Sequence, residues 1–468
     1  MIKENFKTPV QLSQLISSEQ AYAYKIIPVD EQDDQIIFKS ESTSETLKQE
    51  LQIILGRSVR LIKESPENIR QYLSSNFRIR HQSQTQALNY SSDFLVQLLT
   101  TAKDIGSSDI HFEVYEHKCR VRFRLDGKLK EYFIISKEEY PIIINKLKIK
   151  AGLDISEKRL PQDGRITINT ESDEFDIRVS SLPILNGEKM VLRILSKDAD
   201  HIELGELGFS NKELNTYRET IRKPNGIVLI SGPTGSGKTT TLYATLKLLN
   251  DEERNILTIE DPIEYTLEGI NQVQLKENIG LDFTSTLRTF LRQDPDVIMV
   301  GEIRDAKTAN MAIRAALTGH LVLSTIHTNS AWATITRLVD MDIPSFLIAS
   351  TLNVSVAQRL VRKLCTTCKD ETPIVTTDFP KSFTIPKTLK YQSIPVGCDH
   401  CYYTGYSGRK AIYEIIPITN DLMSRIKNNH LDIDDYIKAE GISTLKDNAV
   451  ELIRNGITSV EEVYALLI

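Results

Sequence analysis

Hydrophobic and polar positions are spaced differently in successive parts of this chain, and each spacing predicts a different element. Between residues 20 and 80, the apolar runs AYKIIPV and QIIFKS flank the polar turn DEQDD and read as short strands. In SETLKQELQIILGR the apolar residues Leu47, Leu51 and Ile54 recur at helical spacing, with Leu55 beside them, and Gly56 ends the pattern. Residues 20–80 are therefore expected to form a small α/β module. The polar, Ser- and Gln-rich stretch 81–92 has no period and reads as a linker.

In CRVRFRLDGKLKEYFII, Val121, Phe123 and Leu125 alternate with Arg120, Arg122 and Arg124 before the hairpin signal Asp126-Gly127. EFDIRVSSLP repeats the alternation with Arg178 on its polar side. A solvated sheet face and an anion contact are both compatible with such arginines. From about residue 216 the pattern changes. GIVLIS, NILTIE, DVIMVGE and HLVLSTIH are short apolar runs separated by helical stretches, the signature of a parallel sheet with crossover helices. The tail reads as small helices: NDLMSRIKNN, DIDDYIKAE and SVEEVYALL.

Composition narrows the class. Hydrophobic residues are 40%, charged residues 26%, and the net charge is -6 over 468 residues, ordinary for a globular protein of several domains. The acidic balance, with no aromatic-basic stacking strand, argues against a nucleic-acid motor. No apolar run approaches the roughly 18 residues that span a bilayer. The opening MIKENFKTPVQLSQ lacks the apolar core of a signal peptide, so a cytoplasmic chain is expected.

One motif carries specific chemistry. Gly232-Pro233-Thr234-Gly235-Ser236-Gly237-Lys238-Thr239, followed by Thr240, matches GxxxxGK[ST] between the strand GIVLIS and a helix. Backbone N–H groups of such a loop wrap phosphates, and the helix N-terminus adds its dipole. Lys238 can reach the outer phosphates, and the Thr239 hydroxyl can ligate Mg²⁺. ATP and Mg²⁺ are the expected ligands. Hydrolysis also needs carboxylates at neighbouring strand ends. Glu260, in ILTIEDPIE, and Glu302, which ends VIMVGE, are the candidates, with Glu302 favoured on the metal side. His327 ends another strand, where it can sense the terminal phosphate. Arg288 and Arg292 share a helical face, compatible with surface salt bridges, transition-state charge stabilisation or a subunit contact.

Four of the five cysteines form two CxxC pairs, Cys365/Cys368 and Cys398/Cys401. In a reducing compartment this spacing reads as a tetrahedral, structural Zn²⁺ site.

Taken together, these segments resemble the ATPases of type II secretion and type IV pilus assembly. The order matches: GPTGSGKTT as Walker A, TIEDPIEY as Asp box, DPDVIMVGEIRD as Walker B and GHLVLSTIHTN as His box. LPQDGRI, FDIRVSSLP and GEKMVLRIL upstream, and QRLVRKLC and SGRKAIYEII downstream, are also similar to the family. The resemblance implies an α/β fold: a RecA-like P-loop ATPase domain preceded by a smaller α/β domain and an N-terminal docking domain, with a small tetracysteine zinc subdomain and C-terminal helices. The expected blocks are 1–80, 93–205, 206–362, 363–412 and 413–468. It also implies a ring hexamer that works on an inner-membrane platform protein, binds a cytoplasmic-domain docking protein, and lies peripherally on the inner membrane without nucleic acid. Arg165, Arg178 and Arg193 are implied nucleotide contacts, and His320 joins His327 in the His box. The implied function is pseudopilus assembly in type II secretion, with type IV pilus extension or competence pilus assembly as the alternative. The cysteine excursion favours assembly or export over retraction.

Overall fold

The computed structural model describes residues 12–468 apart from 13–14, 17, 33–34, 67, 70–72, 74–93, 170–173, 196–202 and 431. The expected linker, 81–92, lies outside the described residues. The chain forms two compact units. The first takes residues 1–194, 363–375 and 386–407, and the second takes 195–362, 376–385 and 408–468. The cysteine segment groups with the N-terminal unit, because its contacts, not its place in the sequence, decide where it belongs.

The first unit opens with a small three-stranded sheet. Helix α1 (Ser18–Tyr24) leads into β1 (Ile26–Gln32), which pairs antiparallel with β2 (Gln35–Ser40). Helix α2 (Glu45–Leu55) then crosses to β3 (Ser58–Lys63), parallel to β2. Ser44 caps α2 by accepting from the Leu47 N–H at 3.2 Å, and Gly56 ends it at φ 65°, a left-handed value that a glycine adopts without strain. The short strands and the helix of the 20–80 reading are thus present, with β3 as an unexpected third strand.

A six-stranded sheet follows helix α3 (Phe94–Asp104). It consists of β4 (Asp109–Val114), β5 (Cys119–Leu125), β6 (Lys128–Ile135), β7 (Gln162–Asn169), β8 (Glu174–Ile184) and β9 (Gly187–Leu195), in the order β6-β5-β4-β9-β8-β7. Helix α4 (Tyr140–Lys150) connects β6 to β7. Alternation on β5 sends Val121 and Phe123 into a core shared with Leu99, Phe112, Leu147, Phe175 and Leu192. The arginines of β5 face the other side of the sheet and are not simply solvated. Arg120 and Arg122 meet the buried carboxylate of Glu113 at 2.8 and 2.6 Å, and Arg124 meets Asp109 at 3.1 Å. Lys148 on α4 is fully buried and bonds Glu188 at 2.5 Å and the Glu157 carbonyl at 2.8 Å.

The second unit is built on a seven-stranded sheet. Helix α5 (Asn211–Ile221) precedes β10 (Gly226–Ser231), and α6 (Lys238–Leu249) follows it. Next come β11 (Ile256–Glu260), β12 (Asn271–Gln274), α7 (Phe283–Phe290), β13 (Val297–Val300), α8 (Ala306–Leu317) and β14 (Leu321–Ile326). Two short helices, α9 (Ala333–Asp340) and α10 (Ser345–Thr351), lead to the long strand β15 (Leu352–Leu364). The chain then forms an antiparallel ribbon of β16 (Asp370–Pro373) and β17 (Tyr391–Ile394), and returns as β18 (Tyr406–Pro417). The order is β12-β11-β13-β14-β10-β15-β18, and the ladders joining β10, β11, β12, β13, β14 and β15 are parallel. Both faces of β10 and β14 are buried, as their uninterrupted apolar runs require. The tail forms α11 (Asn420–Lys427), α12 (Asp434–Ala439), α13 (Leu445–Arg454) and α14 (Val460–Leu467). Among the described residues no helix is long and apolar enough to cross a membrane.

Candidate nucleotide site

Parallel pairing places the ends of β10, β13 and β14 at one edge of the second unit's sheet, where ligands of open α/β sheets bind. Ser231 ends β10, and the loop from Gly232 to Gly237 turns into α6, whose N-cap is Gly237 at φ 87°. Gly232 also has to be glycine for space. A Cβ there would lie 2.5 Å from the Gln358 carbonyl and 2.6 Å from the Ser236 hydroxyl. Pro233, Thr234, Gly235 and Thr239 are exposed, so the loop presents its backbone outward, and Thr240 is half-buried.

Two observations fit this loop to a phosphate chain. The Ser236 hydroxyl is buried without a hydrogen-bond partner. The Lys238 ammonium donates to the loop's own carbonyls, Gly232 at 2.8 Å and Pro233 at 3.0 Å, so it already sits in the curve of the loop. Burial, and more weakly Arg359, pull that ammonium below the ordinary lysine value against the pull of Glu302. An anion in the loop would relieve both pressures.

Glu302 follows β13 and lies between His327 and Arg304. His327, just past β14, places Nε2 3.3 Å from a Glu302 oxygen, and Arg304 donates to the other oxygen. Arg304 also reaches Asp261 at 3.6 Å. Burial alone would raise the Glu302 carboxyl, but Arg304 and His327 outweigh it and hold it below the ordinary glutamate range. It is therefore an ionised carboxylate at the edge that carries the phosphate loop. Arg304 is a member of the site that sequence reasoning missed. Its signal was its place two residues after Glu302.

Glu260 is placed differently. It ends β11, and its side chain is enclosed, the residue being 3% exposed. The Tyr243 hydroxyl, on the phosphate-loop helix, donates to one oxygen, while Thr258 at 2.6 Å and Gln272 at 3.1 Å donate to the other. Both of its oxygens accept hydrogen bonds from inside the protein. The carboxylates that continue beyond it, Asp261 and Glu264, are exposed and half-buried respectively.

The two histidines of the His box separate. His327 follows β14, whereas His320 precedes it and bonds the Ala315 carbonyl at 2.8 Å. Six strand residues intervene, about 20 Å at 3.3 Å each, so His320 stands at the opposite edge and does not join the phosphate loop. Arg288, near the end of α7, and Arg292 are exposed, and Arg292 donates to the Arg288 carbonyl at 3.0 Å. Among the described residues neither forms a salt bridge. Within the first unit, Arg165, Arg178 and Arg193 lie on the neighbouring strands β7, β8 and β9. Arg165 pairs with Asp176, Arg193 bonds Asp109 at 2.9 Å, and Arg178 faces Arg165 across the ladder.

The cysteines converge. All four sulfurs lie within 4.8 Å of one another, with separations of 3.8 Å for Cys365–Cys398, 3.7 Å for Cys368–Cys401 and 3.8 Å for Cys398–Cys401. A tetrahedron with Zn–S bonds of about 2.3 Å has edges of about 3.8 Å, so the set fits zinc. The N–H groups of Gly397 and Gly405 donate to Cys368 and Cys401 at 3.2 and 3.3 Å, which favours thiolates. Burial pushes the thiols of Cys368 and Cys398 up, whereas at Cys365 the backbone N–H groups of Thr367 and Cys368 outweigh burial and pull the thiol down.

A strand, phosphate loop and helix, with a carboxylate and a histidine on adjacent strand ends, define a P-loop nucleotide-binding domain. The chain belongs to the family described as Type II/IV secretion system protein, whose family model matches residues 85–465. It is 48% identical over 367 residues to the type II secretion system protein E of Pseudomonas aeruginosa, an alignment covering 76% of this chain and 72% of that one. It is 47% identical over 376 residues to the type IV pilus assembly ATPase PilB of the same organism, covering 79% and 66%. Among solved structures, the Legionella pneumophila ATPase DotB matches with a TM-score of 0.60 at 21% identity, over 81% of this chain and 96% of that one. The pilus retraction motor PilT, solved with bound ADP, matches with a TM-score of 0.54 at 25% identity, over 79% and 96%.

Proposed function

We propose that this chain is an Mg²⁺-dependent ATPase that powers type II protein secretion by driving pseudopilus assembly. The observation that supports this most is the Glu302–His327–Arg304 cluster on the edge that carries the phosphate loop. The backbone of residues 232–240 would bind the phosphates, and Lys238 would turn from its own loop carbonyls to the outer phosphates. The Thr239 hydroxyl and Glu302 would hold the metal, which when bound neutralises charge on the phosphates. Glu302 would keep His327 oriented toward the terminal phosphate. Enclosure of Glu260 favours Asp261 or Glu264 as the carboxylate that orients water, with Glu260 anchoring the segment that bears them. Catalysis in such a site is chiefly positioning and charge stabilisation.

The nucleotide-contact roles of Arg165, Arg178 and Arg193, and the supporting roles of Arg288 and Arg292, rest on the family resemblance and belong to the same proposal. So do the homohexamer, the inner-membrane platform and docking partners, the peripheral location, and a structural Zn²⁺ on the four cysteines. Near-equal identity to a secretion protein and a pilus assembly ATPase keeps pilus extension as the second reading.

The test is phosphate release from Mg²⁺-ATP by the full chain. Lys238→Ala is expected to abolish turnover while leaving thermal unfolding unchanged. Full turnover in that variant would sink the phosphate-loop assignment. Restoration of secretion, but not of piliation, in matched deletion strains would separate the two machines.

A further inference from the structure

The segment after His327 is fastened at three successive residues, Asn329, Ser330 and Ala331, shortly before helix α9 begins. Ser231, the last residue of β10, donates to the Ser330 carbonyl at 3.4 Å, and Arg359 donates to the Asn329 carbonyl at 2.8 Å. Ser355 on β15 donates to the Ala331 carbonyl at 2.7 Å, and the Ala331 N–H donates to Glu414 Oε1 at 2.7 Å. Glu414 lies on β18 and is 5% exposed. Its other oxygen, Oε2, accepts from the Leu445 N–H at 3.2 Å, the first residue of α13. A single buried carboxylate thus serves two backbone donors more than a hundred residues apart in sequence, with one oxygen for each. Burial raises its carboxyl, while the two N–H donors and Arg359 favour the charged form. A carboxyl group kept in the interior at this cost needs both donors, because losing either leaves a buried oxygen unmet.

The Ala331 end of this segment lies four residues from His327, and His327 pairs with Glu302. We propose that Glu414 is a positioning residue of the ATPase site: it holds the His327 segment and the start of α13 on one carboxylate, so that the C-terminal helices and the catalytic edge move together. The proposal rests on the ATPase reading for its kinetic consequence, but not for the mechanical coupling. Glu414 touches neither the phosphate loop nor the Glu302 cluster and acts only through the backbone at Ala331. A displacement of α13, for example by a protein docked on the C-terminal helices, would reach His327 by this route.

The experiment uses the full chain with Glu414→Gln. The amide offers one acceptor oxygen and turns an NH₂ group toward the second backbone donor. Misplacement of the His327 segment is expected to lower kcat about tenfold. Affinity for a fluorescent ATP analogue should stay within about twofold, because the phosphate loop is untouched. Amide hydrogen exchange should accelerate at both Ala331 and Leu445. A second variant, Thr444→Ala, removes the α13 cap, in which the Thr444 hydroxyl accepts from the Asp447 N–H at 3.1 Å. Coupling requires exchange at Ala331 to accelerate in this variant too. The proposal is overturned if Glu414→Gln keeps wild-type kcat and Ala331 protection. It is equally overturned if Thr444→Ala frees Leu445 while Ala331 stays protected, and that arm decides alone should Glu414→Gln fail to fold. A wild-type chain without turnover would instead defeat the ATPase reading, and the exchange arms would still decide the coupling.

Discussion

The enclosed carboxylate of Glu260 gives the sharpest separation between a structural and a chemical role. Glu260→Gln keeps the shape and removes the charge. Three donors meet the native carboxylate: the Tyr243 hydroxyl, the Thr258 hydroxyl and the Gln272 amide. Glutamine keeps one acceptor oxygen and points an NH₂ group at whichever donor faced the other oxygen. The loss is one charge-assisted hydrogen bond plus one buried donor left unmet. Together these amount to about 3 kcal/mol, from roughly 1.5–3 for the bond and 1–3 for the orphan with some relaxation. At about 2–4 °C per kcal/mol for a domain of this size, the melting temperature of the second unit should fall by about 6–12 °C. Below that temperature kcat should stay within about threefold of wild type, because a water-orienting carboxylate would cost far more, about 10²–10⁴. Scanning calorimetry and phosphate release on the same preparation decide it, with Glu264→Gln and Glu302→Gln as comparisons. A hundredfold loss of kcat in Glu260→Gln with an unchanged melting temperature would refute the reasoning and return Glu260 to the reaction.

Other consequences follow from the same geometry. Lys148→Met should destabilise the first unit by about 3–5 kcal/mol, because it strands the buried Glu188 carboxylate; a denaturant midpoint close to wild type would contradict this. Burial alone would raise the Glu113 carboxyl, yet Arg122 and Arg120 bring it down to about 2. A depressed carboxyl stabilises above its unfolded value of about 4.3, and the contribution fades as pH falls from there toward 2. Glu113→Gln should therefore flatten the acid limb of the first unit's stability curve, and an unchanged limb counts against the pairing. Purified protein should carry one zinc per chain, and a strong chelator should free four thiols for a colorimetric reagent and open residues 363–407 to protease. Four reactive thiols before chelation would dismiss the metal.

Where information is local, the sequence was easy to read. The phosphate loop needs a strand, a glycine turn and a helix in immediate succession, and all three are contiguous in residues 226–249. The cysteine pairs announce a tetrahedral set because each CxxC turn fixes two sulfurs by itself. His327 and His320 could have been told apart, since a strand of six residues carries its two ends to opposite edges of a sheet. Glu260 could not be separated from Glu264 in this way. Its enclosure depends on Tyr243 and Gln272, which lie 17 and 12 residues away on a helix and a neighbouring strand. Arg120, Arg122 and Arg124 look like a solvated stripe until Glu113 and Asp109 are brought beside them by pairing with β4. Nor did any local pattern signal that Glu414 ends between Ala331 and Leu445.

The division of the chain into interleaved segments bears on how the protein comes off the ribosome. The first unit takes residues 363–375 and 386–407 from beyond the second unit's sheet strands β10–β14. The Lys130 ammonium bonds the carbonyl of Tyr402, the residue that follows the last cysteine. When Lys130 is made during synthesis, that partner is still 272 residues from being made. The first unit must therefore wait, incomplete, while strands β10–β15 of the second unit are translated. A fragment cut at residue 194 would leave β6 without this covering, and one begun at residue 195 would carry a cysteine ribbon without its seat.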